Sequence, residues 1–131
     1  MTKDIWINLP VKDLNKSKAF FTELGFSLTQ HQTPDMVGMM ASEKNVAVCL
    51  VLEPTFKGYT GHAITDASQS TEVLFSLSAE TREEVDTLAK KATNAGGSVF
   101  SKPGGDDNMY GCAFADPDGH RWNVLYMKTW E

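Results

Sequence analysis

The strongest constraint on this chain is that one order of elements occurs twice. Ile5–Val11 alternates, with Ile5, Ile7 and Leu9 on one side and Trp6, Asn8 and Pro10 on the other, which predicts a strand with one packed face. Asp13 is placed to cap a helix with an apolar stripe of Leu14, Phe20, Phe21 and Leu24, stopped by Gly25. Residues 27–32, 37–41 and 46–52 then read as three strands, parted by Pro34-Asp35 and by Ser42-Glu43-Lys44-Asn45.

The second half runs the same way. Residues 72–78 predict a strand with Val73, Phe75 and Leu77 on one face and Glu72, Leu74 and Ser76 on the other. Thr81-Arg82-Glu83-Glu84 is a capping box ahead of a helix whose stripe is Val85, Leu88, Ala89, Ala92 and Ala95, and Gly96-Gly97 ends it. Residues 98–101, 109–115 and 120–127 follow as strands, with the breaker cluster Pro103-Gly104-Gly105-Asp106-Asp107-Asn108 between the first two. Glu23-Leu24-Gly25-Phe26-Ser27-Leu28 aligns with Asn94-Ala95-Gly96-Gly97-Ser98-Val99. The repeat is weak in identity and clear in pattern.

Each half is too small to build a good core alone. The expected fold is therefore α+β: two βαβββ modules forming a curved mixed sheet around a cleft, with the helices outside. Residues 1–53 would be the first module and 71–131 the second, in one compact domain. Residues 54–70 have no clear period and read as a linker or a lid. As a lid they would bring Phe56 and Tyr59 over a ligand; as a surface crossing they would tuck a few residues against the core.

The last turn is the sharpest local signal. In Asp116-Pro117-Asp118-Gly119, proline sets one backbone angle and glycine supplies a positive one, so the chain reverses between Phe114 and Trp122. The strand behind it puts Asn123 on the opposite face from Trp122 and Val124.

Charge and composition exclude some classes. A net charge of −5 with scattered Lys and Arg argues against nucleic acid, which needs a basic face. There is no apolar run long enough to span a membrane, and Met1-Thr2-Lys3-Asp4 lacks a signal peptide's apolar core, so a cytoplasmic protein is expected. The two cysteines, Cys49 and Cys112, lie in apolar runs and read as buried free thiols.

Strand parity places Trp6 and Asn8, then Ala47, Cys49 and Val51, on the face turned from the first helix. In the second module it places Glu72, Leu74 and Ser76, then Arg121, Asn123 and Leu125, on the corresponding face. Trp6 there is either a pocket wall or plain packing. Glu72 is either solvated or paired with Arg121, or, if buried without a partner, a general base. His31, His62 and His120 fall outside these positions and read as structural or solvated. No Ser-His-Asp set, phosphate loop or CxxC is present.

Several stretches together resemble the vicinal oxygen chelate superfamily, which includes glyoxalase I, bleomycin and fosfomycin resistance proteins and extradiol dioxygenases. They are Asn8-Leu9-Pro10-Val11-Lys12-Asp13-Leu14, Ser17-Lys18-Ala19-Phe20-Phe21, Leu24-Gly25-Phe26, Ser70-Thr71-Glu72-Val73-Leu74, Met109-Tyr110-Gly111 and Asp116-Pro117-Asp118-Gly119-His120. The chain is most similar to small bacterial members described as lactoylglutathione lyases. The resemblance implies two βαβββ modules and, in metal-dependent members, four ligands on inner strands. Aligned by motif these positions are Trp6, Cys49 (or Val51), Glu72 and Asn123, where the family often has histidine at the first and third and glutamate at the fourth. Glu72, Cys49 and Asn123 are thus the candidate divalent-metal set, and an eroded one, since indole cannot ligate and a neutral amide replaces a carboxylate. Two functions follow: a lyase-like enzyme on a small molecule with Glu72 as base, or a metal-free protein that binds or sequesters a small ligand, as bleomycin resistance proteins do. Trp6, Asn8, Phe56, Tyr59, Tyr110 and Arg121 are the candidate ligand-binding residues. The resemblance also implies a homodimer.

Overall fold

The computed structural model describes residues 1–2, 4–43 and 46–128, with the side chain of His31 outside that set. The turn expected over residues 42–45 includes Lys44 and Asn45, which lie outside the described residues. The chain divides into two units, Met1–Asp66 and Ala67–Glu131. Among the described residues no helix is long and apolar enough to cross a membrane.

The first unit contains β1 (Ile5–Val11), α1 (Leu14–Glu23), β2 (Ser27–Thr33), β3 (Met36–Met40), β4 (Val46–Leu52) and α2 (Glu53–Thr60). Its sheet runs β1-β4-β3-β2, with β1 parallel to β4 and the other pairs antiparallel. The Asp13 carboxylate accepts from the Lys16 amide at 3.1 Å, which fixes the start of α1. The register sets Leu9, Leu50 and Val37 in one row and Val48 and Met39 in the next. All five are buried, as are Phe20 and Phe21 of α1, which contacts β3 and β4. Each large apolar side chain so buried contributes about 1.5–3 kcal/mol.

α2 corrects the expectation of an irregular linker after β4. Pro54 stands in its first turn, where a missing N–H costs nothing. Gly61 closes it at φ +72°, donating to the Lys57 carbonyl at 2.9 Å. The helix contacts β1 and β4 but buries none of its own side chains fully.

The second unit repeats the plan with β5 (Leu74–Ser78), α3 (Arg82–Asn94), β6 (Ser98–Gly105), β7 (Met109–Ala115) and β8 (Arg121–Met127). Its sheet runs β5-β8-β7-β6, again with one parallel and two antiparallel pairs. The forward arm of the capping box is made at the Thr81 N-cap, and the return arm reaches one residue further back, to Glu80. The Glu84 amide donates to Thr81 Oγ1 at 3.1 Å, and Glu84 Oε1 accepts from the Glu80 amide at 3.2 Å. Phe75, Trp122, Phe114 and Val99 form one cross-strand row, and Leu77, Val124 and Cys112 the next. Trp122 is wholly buried, 4.7 Å from the Phe75 ring centroid. Cys112 Sγ donates to the Val85 carbonyl at 3.8 Å, so this face packs on α3.

The last turn folds as expected, and Asp116 organises it. Its carboxylate, 4% exposed, accepts from the amides of Asp118 and His120, each at 3.0 Å, and from Trp122 Nε1 at 3.2 Å. Gly119 takes φ +96°, and a Cβ there would stand 2.8 Å from the backbone of Ala67 and Ser68.

β6 runs further than its sequence suggests, through Pro103 to Gly105. The register shifts once between Val99 and Ser101 and again between Ser101 and Gly104. Those irregularities let a proline, which cannot donate to a ladder, sit inside the strand.

Candidate functional site

Directly paired residues share a face of a sheet, so each register states which side chains stand together. In the first unit, Trp6 pairs with Ala47, Asn8 with Cys49 and Pro10 with Val51. Cys49 therefore lies one row from Trp6 and Val51 two rows away. Trp6 is 60% exposed at the start of β1, and Asn8 is half-buried. Cys49 is buried, and burial pushes its thiol pKa up, which disfavours the thiolate. Phe56 is half-buried and Tyr59 exposed, both on α2 rather than on an irregular lid.

In the second unit, the face turned from α3 is built of three rows. They are Leu74, Arg121, Ala115 and Ser98; Ser76, Asn123, Ala113 and Ser101; and Ser78, Leu125, Gly111 and Gly104. Sequence parity had placed Asn123 and Arg121 on this face, and there they are. Asn123 Nδ2 donates to Ser76 Oγ at 3.4 Å, a long bond on an exposed surface. The small residues of β7 leave room beside these side chains.

Arg121 stands at the end of this face. Its guanidinium carbon lies 4.1 Å from the centroid of the Phe100 ring. Phe100 was not a sequence-derived candidate. Val99 pairs with Phe114 and Ser101 with Ala113, so Phe100 is the extra residue of a bulge. Alternation from Val99 turns Phe100 to the Arg121 face, and the bulge then keeps Ser101 on that face opposite Ala113.

Glu72 does not join the sheet. It is exposed, two residues before β5 begins, and among the described residues no carboxylate pairs with Arg121. The expected strand start at Glu72 is thus corrected to Leu74, since the ladder to β8 begins with Leu74 opposite Arg121.

Tyr110, a ligand-binding candidate from the sequence, does not stand on this face. It pairs with Tyr126, in register with the packed face rather than with Asn123. Its hydroxyl donates to Asp86 Oδ1 of α3 at 2.7 Å, and that bond is the main reason its pKa is raised. Arg82 lies over the Tyr110 and Tyr126 rings at 5.1 and 5.6 Å and donates to the Asp106 carbonyl at 2.9 Å. These groups tie α3 to the sheet.

The candidate metal positions consist of one thiol in the first unit and one carboxylate and one amide in the second. Among the described residues, no three of His, Cys, Asp and Glu are grouped so as to hold a metal ion.

Two four-stranded sheets of the same strand order, each with a helix on one face, define a paired βαβββ protein of the vicinal oxygen chelate class. The family model for the Glyoxalase/Bleomycin resistance protein/Dioxygenase superfamily matches residues 5–124, and the chain belongs to that superfamily. A hypothetical protein from S. aureus, SA1046, is 35% identical, with a TM-score of 0.84 over 96% of this chain and 95% of that one. A glyoxalase-related enzyme from Fulvimarina pelagi is 21% identical, with a TM-score of 0.86 over 100% of this chain and 92% of its own. A glyoxalase/bleomycin resistance protein/dioxygenase family enzyme from Burkholderia phytofirmans PsJN is 17% identical, with a TM-score of 0.78 over 93% and 96%. No curated protein matched.

Proposed function

We propose that this chain binds a small organic molecule without the divalent ion that metal-dependent members of its superfamily use. The observation that carries the reading is the second sheet's open face. Asn123, at a position where the resemblance implies glutamate, donates to a neutral serine hydroxyl instead of offering a carboxylate. The other positions support the same reading. Trp6 has no metal-ligating atom, Cys49 is held towards the thiol form by burial, and Glu72 is exposed ahead of β5. What the open face offers in place of ligands is hydrogen-bonding amide and hydroxyl groups, a guanidinium and exposed apolar surface at Leu74, a mixture suited to orienting a small ligand.

Lyase chemistry with Glu72 as base is the reading this displaces. A base tuned for neutral pH asks for a carboxylate enclosed by its site, and Glu72 stands in solvent. A homodimer in the cytoplasm accords with the family resemblance and the acidic composition.

The test has two arms. Elemental analysis of the purified protein, followed by calorimetric titration with Ni, Zn, Mn and Fe(II), should give no stoichiometric binding. Tight binding abolished by Glu72→Ala would refute the metal-free reading. A fragment library titrated into labelled protein should move the Asn123 side-chain amide resonance; a library that never moves it would refute ligand binding on this face.

A further inference from the structure

Arg121 carries information about the ligand's charge. Its Nε is buried with no hydrogen-bond partner, and no carboxylate pairs with it among the described residues. Buried charged groups are ordinarily satisfied, so the guanidinium, half-buried and not neutralised among the described residues, is left for an acceptor brought from outside at its solvent-reaching edge. The ring of Phe100, 48% exposed, lies 4.1 Å from the guanidinium carbon, so one face of the cation is occupied by the ring. Alternation from Val99, the register partner of packed Phe114, puts that ring on this face.

The three open-face rows contain no second Lys or Arg. A single guanidinium matches a single negative charge, and its planar fork matches the two oxygens of a carboxylate. Leu74, directly opposite Arg121 and 51% exposed, offers apolar contact beside the charge. Asn123 and Ser76 offer neutral hydrogen bonds one row along, joined to each other only by the 3.4 Å contact.

We propose that Arg121, backed by Phe100, receives the carboxylate of an organic acid whose uncharged body lies along the open face past Leu74 and Asn123. This rests on the small-ligand reading above and adds the ligand's head group to it.

The experiment titrates isotope-labelled protein with three matched pairs: benzoate and benzamide, indole-3-acetate and its amide, and hexanoate and hexanamide. Phenyl phosphate is included as a dianion. The readouts are the Arg121 Nε–H and the Asn123 side-chain amide resonances. At least one acid should move both and bind about tenfold or more tightly than its amide, the margin of one charge-assisted fork. Arg121→Gln should erase that preference, and Arg121→Lys, which keeps charge but not the fork, should retain only part of it; both variants are first checked for native amide spectra. Equal binding of acid and amide, a preference that survives Arg121→Gln, or tighter binding of phenyl phosphate at the same resonances would overturn the carboxylate assignment. If only amides move Asn123, the carboxylate inference falls and the small-ligand reading stands. If none of the probes moves Asn123, both fall.

Discussion

Replacing Asp116 by alanine should destabilise the second unit by about 3 kcal/mol. Three donors lose one acceptor: the amides of Asp118 and His120 and the indole Nε1 of Trp122. Asp118 and His120 are only half-buried, so water can recover part of their loss, and each costs about 1 kcal/mol. Trp122 is 0% exposed, so its N–H would be left unsatisfied in the core, at about 1–3 kcal/mol. Removing a buried carboxylate returns part of this, because Asp116 no longer has to be desolvated. Urea unfolding followed by far-ultraviolet circular dichroism measures the outcome without relying on Trp122 emission. In a Trp122→Phe background the same substitution should cost about 1–2 kcal/mol less, which isolates the indole bond. A cost below about 1 kcal/mol in the wild-type background would refute the reasoning. The pH dependence gives a second check. Burial is the main influence on Asp116 and holds its pKa above the ordinary 3.8, with His120 and the donors opposing it only in part. The folded state then binds more protons than the unfolded one as pH rises from 3.8, so Asp116's contribution is greatest below that value and is lost through the raised folded pKa. The stability of wild type relative to Asp116→Asn should fall across that window; a rise would show that the three donors outweigh desolvation.

Thr81→Ala should cost about 1 kcal/mol in the same unfolding assay, because it removes the Glu84 amide's acceptor at the start of α3. Gly25→Ala and Gly119→Ala should separate backbone strain from crowding. Both glycines have positive φ, +101° and +96°, but a Cβ at Gly25 meets nothing within 4 Å and one at Gly119 meets the Ala67 and Ser68 backbone at 2.8 Å. The first should cost about 1–2 kcal/mol and the second clearly more; equal costs would refute the distinction. Neither cysteine should react readily with a thiol reagent in the native protein at pH 8, since both are buried and the Cys112 thiol is pushed up to about 11 by burial. Both should react at once in denaturant, and rapid native labelling of Cys112 would contradict its packing against α3.

What could be read from the sequence was what depends on near neighbours. Caps at Asp13 and Thr81, the reversal at Asp116 to Gly119, and the opposition of Asn123 to Trp122 each rest on spacings of a few residues, and each stands as expected. α2 escaped because an eight-residue helix that buries no side chain fully leaves no apolar stripe, although Pro54 and Gly61 marked its ends. Tyr110 was a candidate for its ring rather than its parity, and it stands on the packed side of the sheet. Gly111, Ala113 and Ala115 alternate with Tyr110, Cys112 and Phe114, and that run of small residues was the available sign that the larger three turn to the helix. Phe100 carried a parity sign of its own, since it alternates with Val99 and shares its face with Ser98, but the bulge that follows it had none. A bulge adds one residue to a strand without changing composition, and only the pairing of Val99 with Phe114 and Ser101 with Ala113 exposes it. The bulge sets the face of the residues after Phe100 rather than of Phe100 itself. Without the bulge, Phe100 would pair with Ala113 on the same open face, and Ser101 and every following side chain of β6 would exchange faces. A second shift before Gly104 lets the strand reach Gly105, where a Cβ would overlap the Met109 carbonyl. Simple alternation in one edge strand, rather than any conspicuous motif, is therefore what places an aromatic ring beside Arg121.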